Sequence, residues 1–322
     1  MKKKILSIVI VSILLLASLA VFSAAGTRLV TSNDNLDQYQ NEMDGGSGFS
    51  NGTCKFVQSF RPSYDHLTRI KLFIQRDGFP QDITLSVQTS RESGIIDSLS
   101  ISADDIPDIN VGLETEPTFF VFLESLKLNI GQKYYIVLNI PNANRDNYIM
   151  MYGADYWEED HWELKDFYPR GEGLMYTSYS GWYETPDWAF ATYGTGQKNQ
   201  KPNTPTIEGS KEIKQHDYAR YYFTCTDPEN SDLKYFIDWG DGTNSGWLKD
   251  PVKSGQETYK DHYFGKEQKN IEIKVKTKDM FDEESNWGTL SVTMPKSKAV
   301  TFRSFKLLEN FPILLRVIQM LL

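Results

Sequence analysis

The chain has 322 residues, a formal net charge of −9 and two cysteines. The acidic balance argues against a nucleic-acid-binding protein, because a phosphate partner requires a basic surface. Two cysteines are too few for a disulfide-rich scaffold. Aromatic residues make up 13% of the chain, and the body lacks strong helical periodicity, which favours many short strands separated by turns.

Residues 1–26 have the pattern of an export signal. Three lysines precede an apolar stretch, Ile5–Ala25, that ends in small residues, as in a cleaved signal peptide. The stretch is also long enough to span a bilayer as an uncleaved anchor, with the lysines on the cytoplasmic side. We favour cleavage because of the small-residue end. In both cases we expect the rest of the chain to be extracellular, either secreted or held at the cell surface.

Residues 27–53 are polar and rich in glycine, and they predict a linker. Asn51-Gly52-Thr53 is a glycosylation sequon within it. Nine segments rich in β-branched and aromatic residues follow, and they predict a β-sandwich domain over 54–194. The predicted strands are 56–60, 67–74, 83–89, 95–101, 119–123, 133–140, 148–152, 174–177 and 188–193.

Pieces of this first domain resemble a known kind of module. Gln58-Ser59-Phe60, Leu67–Leu72, Gly131–Leu138 and Asp187–Gly194 resemble jelly-roll modules of secreted archaeal and bacterial proteins. Those modules are similar to carbohydrate-binding domains. The matching positions are structural, so the resemblance implies the fold more directly than it implies binding.

A group of aromatic residues lies in a loop region of the first domain, among many acidic residues. An exposed ring removes the apolar face of a sugar from water, and nearby carboxylates bond its hydroxyls. The pattern predicts a glycan-binding site. The alternative is that the rings fill the end of the sandwich beneath long loops. The candidate ligand-binding residues are Tyr156, Trp157, Trp162, Tyr168, Trp182 and Tyr183.

Residues 195–204 predict a second linker, and 205–295 predict a second β-sandwich. Tyr235, Ile237 and Trp239 alternate with more polar positions, and Asp241-Gly242 offers the positive φ angles of a two-residue hairpin turn. We expect Trp188 and Trp239 to be core residues, because both alternate within strands.

The second domain resembles a PKD domain, an immunoglobulin-like sandwich common in microbial surface proteins. The matching pieces are Lys201–Pro205, Tyr222–Glu229, the Trp239-Gly240-Asp241-Gly242 hairpin and Ile273–Asp279. In our hypothesis the first domain binds the ligand and this second domain acts as a spacer. One departure is the turn Glu229-Asn230-Ser231-Asp232, which lacks the glycine of the family's acidic turn, and this weakens any calcium site that the family implies.

Four acidic residues of this domain are candidate metal ligands, because calcium prefers several oxygen ligands and these positions fall near one end of the sandwich. A solvated turn, capped by the Asp227 side chain, is the favoured alternative. We therefore expect no cofactor unless calcium binds. The candidate set is Asp227, Glu229, Asp232 and Asp279.

Residues 296–322 form a basic tail with apolar residues at helical spacing. The pattern predicts a short amphipathic helix, which either lies on a membrane or packs on the body. Pro312–Leu322 spans about 16 Å as a helix, too short to cross a bilayer.

No enzyme class is indicated. The four histidines, at 66, 161, 216 and 262, are scattered singly, without the short spacing of a zinc pair. Sequence alone selects no pair of carboxylates for glycoside hydrolysis. We expect Cys54 and Cys225 to be buried free thiols rather than an interdomain disulfide.

The sequence as a whole predicts an all-β, non-catalytic surface or secreted protein that acts in adhesion or glycan binding. Its partners would be a polysaccharide or neighbouring surface proteins, with membrane contact through the N-terminal segment and no nucleic acid. Two alternatives stay open: a structural envelope protein, and an accessory module of a polysaccharide-degrading system.

Overall fold

The computed structural model describes residues 34–43, 45–48, 51–110, 119–154, 166–265, 270–294 and 320, with the side chains of 119–123 left out. The export segment, nearly all of the basic tail, and Tyr156, Trp157 and Trp162 lie outside these residues. The described body consists of strands and one 3-10 turn, Ala103–Asp105, which confirms the all-β prediction. Among the described residues, no helix is long and apolar enough to cross a bilayer.

The chain divides into two compact units between Asn199 and Gln200. The first unit contains β1 (Asn35–Gln40), β2 (Gly45–Ser47), β3 (Gly52–Phe60), β4 (Tyr64–Leu72), β5 (Ile74–Asp77), β6 (Ile83–Gln88), β7 (Ile95–Ile101), β8 (Phe119–Lys127), β9 (Tyr134–Ala143), β10 (Tyr148–Gly153), β11 (Gly173–Thr177), β12 (Gly181–Thr185) and β13 (Phe190–Lys198). They form three sheets, in the orders β1-β13-β4-β8, β2-β10-β5 and β12-β11-β3-β9-β6-β7.

The core of the first unit follows the period of two expected for strands that bury one face. Phe56 on β3 and Leu138 on β9 lie opposite each other and are both buried. Trp188 is also buried and packs its ring edge-on against Phe56, with centroids 4.9 Å apart. The prediction that Trp188 is a core residue is confirmed.

The predicted linker over 27–53 is corrected by the structure, because strands β1 and β2 and the start of β3 lie within it. β1 pairs with β13, which supplies its backbone hydrogen bonds. Its polar side chains find partners too: Gln40 Nε2 donates to the carbonyl of Asp187 at 3.0 Å. A strand whose buried polar groups are satisfied needs no apolar alternation, and this is why the sequence pattern missed it.

Two further boundaries differ from the sequence prediction. The strand predicted over 67–74 breaks at Phe73, so that β4 and β5 belong to different sheets. The linker predicted over 195–204 begins in the last four residues of β13, and Lys198 pairs with Tyr64.

The second unit is an immunoglobulin-like sandwich of seven described strands. They are β14 (Thr206–Gly209), β15 (Asp217–Thr224), β16 (Lys234–Asp238), β17 (Asn244–Trp247), β18 (Thr258–Phe264), β19 (Asn270–Lys278) and β20 (Gly288–Thr293). One sheet has the order β14-β15-β18 and the other β17-β16-β19-β20. Tyr221, Phe223, Tyr235 and Trp239 are buried between the sheets, which confirms the prediction for Trp239.

The predicted hairpin is present, but its turn is longer than two residues. Trp239 N–H donates to the carbonyl of Thr243 at 3.1 Å, and the positive φ angles belong to Gly240 and Gly242, not to Asp241. Asp241 instead closes the turn with its side chain, accepting hydrogen bonds from the N–H and Oγ1 of Thr243 at 2.9 and 2.6 Å. Its other oxygen lies 2.8 Å from His262 Nε2 on β18, and so links the two sheets.

Both cysteines are buried free thiols, as expected. Burial raises the pKa of the Cys54 thiol to about 12. Burial also raises the pKa of Cys225, whose Sγ donates to the carbonyl of Asn203 at 3.0 Å.

Candidate functional site

The β11–β12 hairpin at the edge of the six-stranded sheet carries the candidate site. Its turn uses Gly181, with a φ of 73°, a conformation that favours glycine. Pairing places Tyr176 opposite Trp182 and Leu174 opposite Glu184. Since alternate residues of a strand share a face, Trp182 and Glu184 lie on the same side of β12.

A cleft of about 210 Å³ opens at the end of this hairpin away from the turn. Asp166, Glu172, Glu184 and Asp187 give it an acidic lining, together with Thr185 and two glycines. The cleft is smaller than the pockets of roughly 300–1,000 Å³ that enclose drug-sized ligands. Its size therefore suits a single small polar group, such as one ring of a larger molecule.

Asp187 is the structural carboxylate of the cleft. Its Oδ1 accepts from Gln58 Nε2 at 2.9 Å, and its Oδ2 accepts from the N–H groups of Phe167 and Tyr168 at 3.2 and 3.0 Å. Burial raises the pKa of Asp187 above its usual value. With both oxygens engaged, Asp187 fixes the loop that bounds the cleft.

The other polar groups of the cleft differ in their ion pairs, hydrogen bonds and exposure. Glu172 Oε1 lies 2.6 Å from Lys133 Nζ, so its charge is paired. Asp166 and Glu184 are exposed at the rim. In the part of the chain that the structure describes, the buried Oγ1 of Thr185 has no hydrogen-bond partner. A buried hydroxyl without a partner costs free energy unless a ligand or water satisfies it.

The predicted aromatic residues that the structure describes separate into three environments. Tyr168 is buried, its ring edge-on against Phe190 at 5.2 Å, and its hydroxyl donates to Gln38 Oε1 at 2.9 Å. It is thus a core residue, and its assignment as an exposed binding ring is corrected. Tyr183 donates from its hydroxyl to Met175 Sδ on the core-facing side of the hairpin.

Trp182 does not line the cleft, but it lies on the same side of β12 as Glu184, which does. Its ring is half-buried, with the Tyr176 centroid 5.2 Å away and the Arg91 guanidinium carbon 5.2 Å from its own centroid. Sequence reasoning missed Thr185 as a lining group and noted Glu184 only as one of the carboxylates near the aromatic residues. The alternation in Gly181–Thr185 was the available signal, but a five-residue strand is too short to stand out.

Two of the four acidic candidates of the second unit, Asp227 and Asp279, cap turns, whereas Glu229 Oε2 accepts from the N–H of Gln200 at 3.2 Å. Asp227 Oδ1 accepts from the N–H groups of Glu229 and Ser231 at 3.1 and 2.9 Å. Asp279 Oδ1 accepts from Phe281 and Glu283 at 2.8 and 3.0 Å. Asp232 is exposed.

The Asp227 carboxylate nevertheless carries an electrostatic cost. Burial raises its pKa, and the negative charge of Asp279 raises it further. Its Oδ2 is buried and has no hydrogen-bond partner among the described residues. Across those residues, no group of three or more His, Cys, Asp or Glu side chains has a geometry that could hold a metal ion. The four residues therefore stay a candidate set, which calcium-dependent unfolding tests.

Neither a protein-family model nor a curated protein sequence matches the chain. Among solved structures, it is similar to the PKD domain of an M14-like peptidase from Thermoplasmatales archaeon SCGC AB-540-F20. The identity is 38%, over 30% of this chain and 99% of that one, with a TM-score of 0.29.

Two more distant structures are also similar. A CARDB domain of a Pyrococcus furiosus protein is 12% identical over 31% of this chain and 94% of that one, with a TM-score of 0.23. The fibronectin(III)-like modules of CbhA from Clostridium thermocellum are 11% identical over 68% of this chain and 79% of that one, with a TM-score of 0.22. Scores this low carry no argument about function.

Proposed function

We propose that this chain is an exported, non-catalytic surface protein that binds a glycan through its first unit and serves in adhesion, with the second unit as a spacer. The observation that carries the proposal is the cleft at the end of the β11–β12 hairpin, which is lined by the exposed Asp166 and Glu184 and by the hydroxyl of Thr185, a group with no hydrogen-bond partner among the described residues. The export pattern of residues 1–26 supports the location.

The chemistry of the cleft favours a sugar over other small ligands. A sugar in the cleft offers hydroxyls to the Asp166 and Glu184 carboxylates and to Thr185 Oγ1. A longer chain that leaves the cleft past Glu184 would bring an apolar C–H face to the half-buried ring of Trp182, on the same side of β12. The acidic lining repels anionic groups, so the bound residue would be neutral or an amino sugar. A volume of about 210 Å³ admits one such residue of a longer chain.

Binding without catalysis is favoured by the state of the carboxylates. Glycoside hydrolysis needs one carboxyl group to give up a proton and a second to act as base or nucleophile. Asp187 accepts three hydrogen bonds and Glu172 pairs with Lys133, so neither of these two carboxylates is poised for either role, and catalysis would depend on Asp166 and Glu184.

A glycan array with the full chain tests the binding site. We expect Trp182→Ala and Thr185→Val each to weaken binding by about tenfold, the factor that follows from losing about 1.4 kcal/mol. Trp287→Ala, which removes a partly exposed indole in the second unit, is the matched control and should bind as the wild type does. Unchanged binding by both cleft variants would remove this site.

A second assay tests the absence of catalysis. The full chain is incubated with a polysaccharide panel, and reducing ends are measured. We expect no release above background. Release that Glu184→Gln abolishes would identify an enzyme and overturn the non-catalytic part of the proposal.

A further inference from the structure

The outward face of the three-stranded sheet in the second unit carries four exposed tyrosines. Strand alternation points Tyr218 and Tyr222 of β15 outward, each directly opposite a tyrosine of β18, Tyr263 and Tyr259 respectively. The exposed fractions of residues 218, 222, 259 and 263 are 72%, 37%, 53% and 43%. Large side chains that stay exposed together on one face of a soluble domain mark a contact surface more often than chance exposure does.

The four rings form an elongated platform. The Tyr218 and Tyr263 centroids are 5.0 Å apart, and those of Tyr222 and Tyr259 are 6.1 Å apart. Because the two outward residues of β15 are four positions apart in a strand, the two pairs are separated by about 14 Å. The platform is therefore longer than one sugar ring and suits an extended chain.

A paired charge lies between the two tyrosine pairs. Arg220 donates from Nε and Nη2 to the two oxygens of Asp261 at 2.7 and 2.8 Å, and its guanidinium carbon lies 4.1 Å from the Tyr259 ring centroid. On the neighbouring strand, Glu208 adds a carboxylate beside Tyr222. The surface thus has no excess positive charge, which disfavours nucleic acid and other polyanions.

The remaining outward positions show which partner class fits. Outward residues of β14, β15 and β18 in the described structure include Thr206 and Thr224 but no aliphatic side chain. The buried centre of a protein interface is likewise enriched in tyrosine and arginine, but it is more apolar than this face and depleted in carboxylates such as Asp261 and Glu208. Flat amphipathic rings with hydroxyl, guanidinium and carboxylate groups between them match a ligand with C–H faces and many hydroxyls.

We propose that this surface is a second glycan-binding site, for an extended neutral polysaccharide. It goes beyond the function proposed above, which assigns the second unit only a spacing role, and it uses none of the cleft residues, so that either site can fail alone. We call the surface the tyrosine face; its residues are Tyr218, Arg220, Tyr222, Tyr259, Asp261 and Tyr263.

Affinity electrophoresis of the full chain in gels containing laminarin, mannan or hydroxyethyl cellulose tests the proposal, with alginate as the anionic comparison. The key variant is Tyr218→Ala with Tyr259→Ala, which removes one ring from each pair. We expect the wild type to bind at least one neutral polymer and the double variant to bind it about tenfold more weakly or worse, since each lost ring forfeits apolar burial.

Two controls separate ring loss from unfolding. Tyr39→Ala removes a tyrosine of the first unit that is 57% exposed and should bind as the wild type does. Tyr218→Phe with Tyr259→Phe keeps both rings and should retain most of the affinity. Circular dichroism and urea unfolding of each variant confirm that the second unit is intact.

Three outcomes would overturn the tyrosine face as a glycan site. One is wild-type affinity in the double alanine variant. Another is self-association of the wild type in sedimentation, without polymer binding, that the same substitutions abolish; this would identify a contact between copies. The third is neither binding nor self-association. Binding lost in Trp182→Ala but unchanged in the double variant would uphold the cleft alone, and the reverse pattern would uphold the tyrosine face alone.

Discussion

The two outward faces of the second unit are both aromatic, yet their rings are used differently. On the four-stranded sheet, the ammonium of Lys276 lies 5.1, 5.3 and 5.6 Å from the ring centroids of Trp287, Trp247 and Phe236. Lys278 lies 4.9 Å from the Trp247 centroid. We call this the lysine-capped face. On the tyrosine face, the Arg220 guanidinium covers the Tyr259 ring, and the tyrosines remain substantially exposed.

The number of aromatic residues on a surface therefore does not by itself indicate a binding site. On the lysine-capped face all three rings lie within 5.6 Å of a lysine ammonium, a contact that contributes to stability and leaves less ring surface for a ligand. On the tyrosine face Tyr259 has such a contact with Arg220, so the surface open to a ligand there belongs mainly to Tyr218, Tyr222 and Tyr263. A ring that faces solvent contributes little to stability and remains available. The two faces should therefore respond in opposite ways to mutation: one through the free energy of unfolding, the other through affinity.

The largest effect is expected where the two faces are joined. Asp241, buried in the turn between β16 and β17, accepts hydrogen bonds from Thr243 and contacts His262 on β18. Asp241→Ala should lower the free energy of unfolding by about 3 kcal/mol, because it leaves buried donors unpaired. Urea unfolding at pH 7 measures this. A loss under about 1 kcal/mol would show that the link is dispensable.

The same residue predicts a pH dependence. Burial raises the pKa of Asp241, but hydrogen bonds from His262 and Thr243 outweigh it, and the net pKa lies below the usual value. Its contribution is therefore present above the unfolded pKa, about 3.9, and is lost as pH falls through the lower folded pKa. Unfolding curves of the wild type should lose stability below about pH 4, more steeply than those of Asp241→Asn.

Next in size is a direct contrast between the faces. Trp247→Ala should cost about 2 kcal/mol, roughly half the loss for a fully buried tryptophan, because the ring is half-buried against Phe236 and two lysines. Tyr218→Ala should cost about 0.5 kcal/mol, as for one exposed cross-strand pair. Equal losses in urea unfolding would contradict the division between the two faces.

A smaller gain is expected at Asp227. Burial and the charge of Asp279 raise its pKa, so the ionised carboxylate is disfavoured in the folded state. Stability is then fullest below the unfolded pKa and declines as pH rises through the raised folded pKa. Asp227→Asn keeps the Oδ1 acceptor and should gain about 0.5–1 kcal/mol at pH 7 but nothing at pH 3.

Calcium provides the control for that substitution. Thermal unfolding of the wild type and of Asp227→Asn is compared with and without calcium chloride. We expect no calcium-dependent shift in either protein. A rise in the wild-type Tm that is absent from the variant would establish a calcium site and explain why a costly carboxylate is retained.

The smallest effect on stability is expected at Lys276, on the lysine-capped face. Lys276→Ala uncovers the rings of the lysine-capped face and removes the Lys276–Glu284 ion pair. Stability should fall by less than about 1 kcal/mol. If capping is what keeps these rings from a ligand, the variant should gain weak retention in neutral polysaccharide gels, and Lys276→Arg should not.

Several features of the fold were predictable because burial imposes a pattern on sequence. Ile70, Leu72 and Ile74 alternate and are all buried. Trp188 and Trp239 are buried next to the ends of β13 and β16. The strand β1 escaped prediction because Gln38 and Gln40 are buried and hydrogen-bonded, so the usual apolar signal is missing.

The candidate surfaces were harder to predict for a different reason. In β15 the run Tyr221-Tyr222-Phe223 places aromatic residues on both sides of one strand, so that composition cannot tell the buried side from the exposed one. Only pairing with β18 and the position of the second sheet decide that Tyr221 is buried and Tyr222 is not. For Tyr168 the prediction was wrong in the opposite direction: it was expected to be exposed, but its loop places the ring in the core against Phe190.

The two buried cysteines provide a natural probe of local unfolding in each unit. Each unit holds one thiol, Cys54 in the first and Cys225 in the second, and both are shielded. A soluble alkylating reagent can then modify each thiol only after local opening. The modification rate therefore reports how often each sandwich opens locally. Mass spectrometry of the two labelled peptides would follow both units in one sample, without any engineered probe.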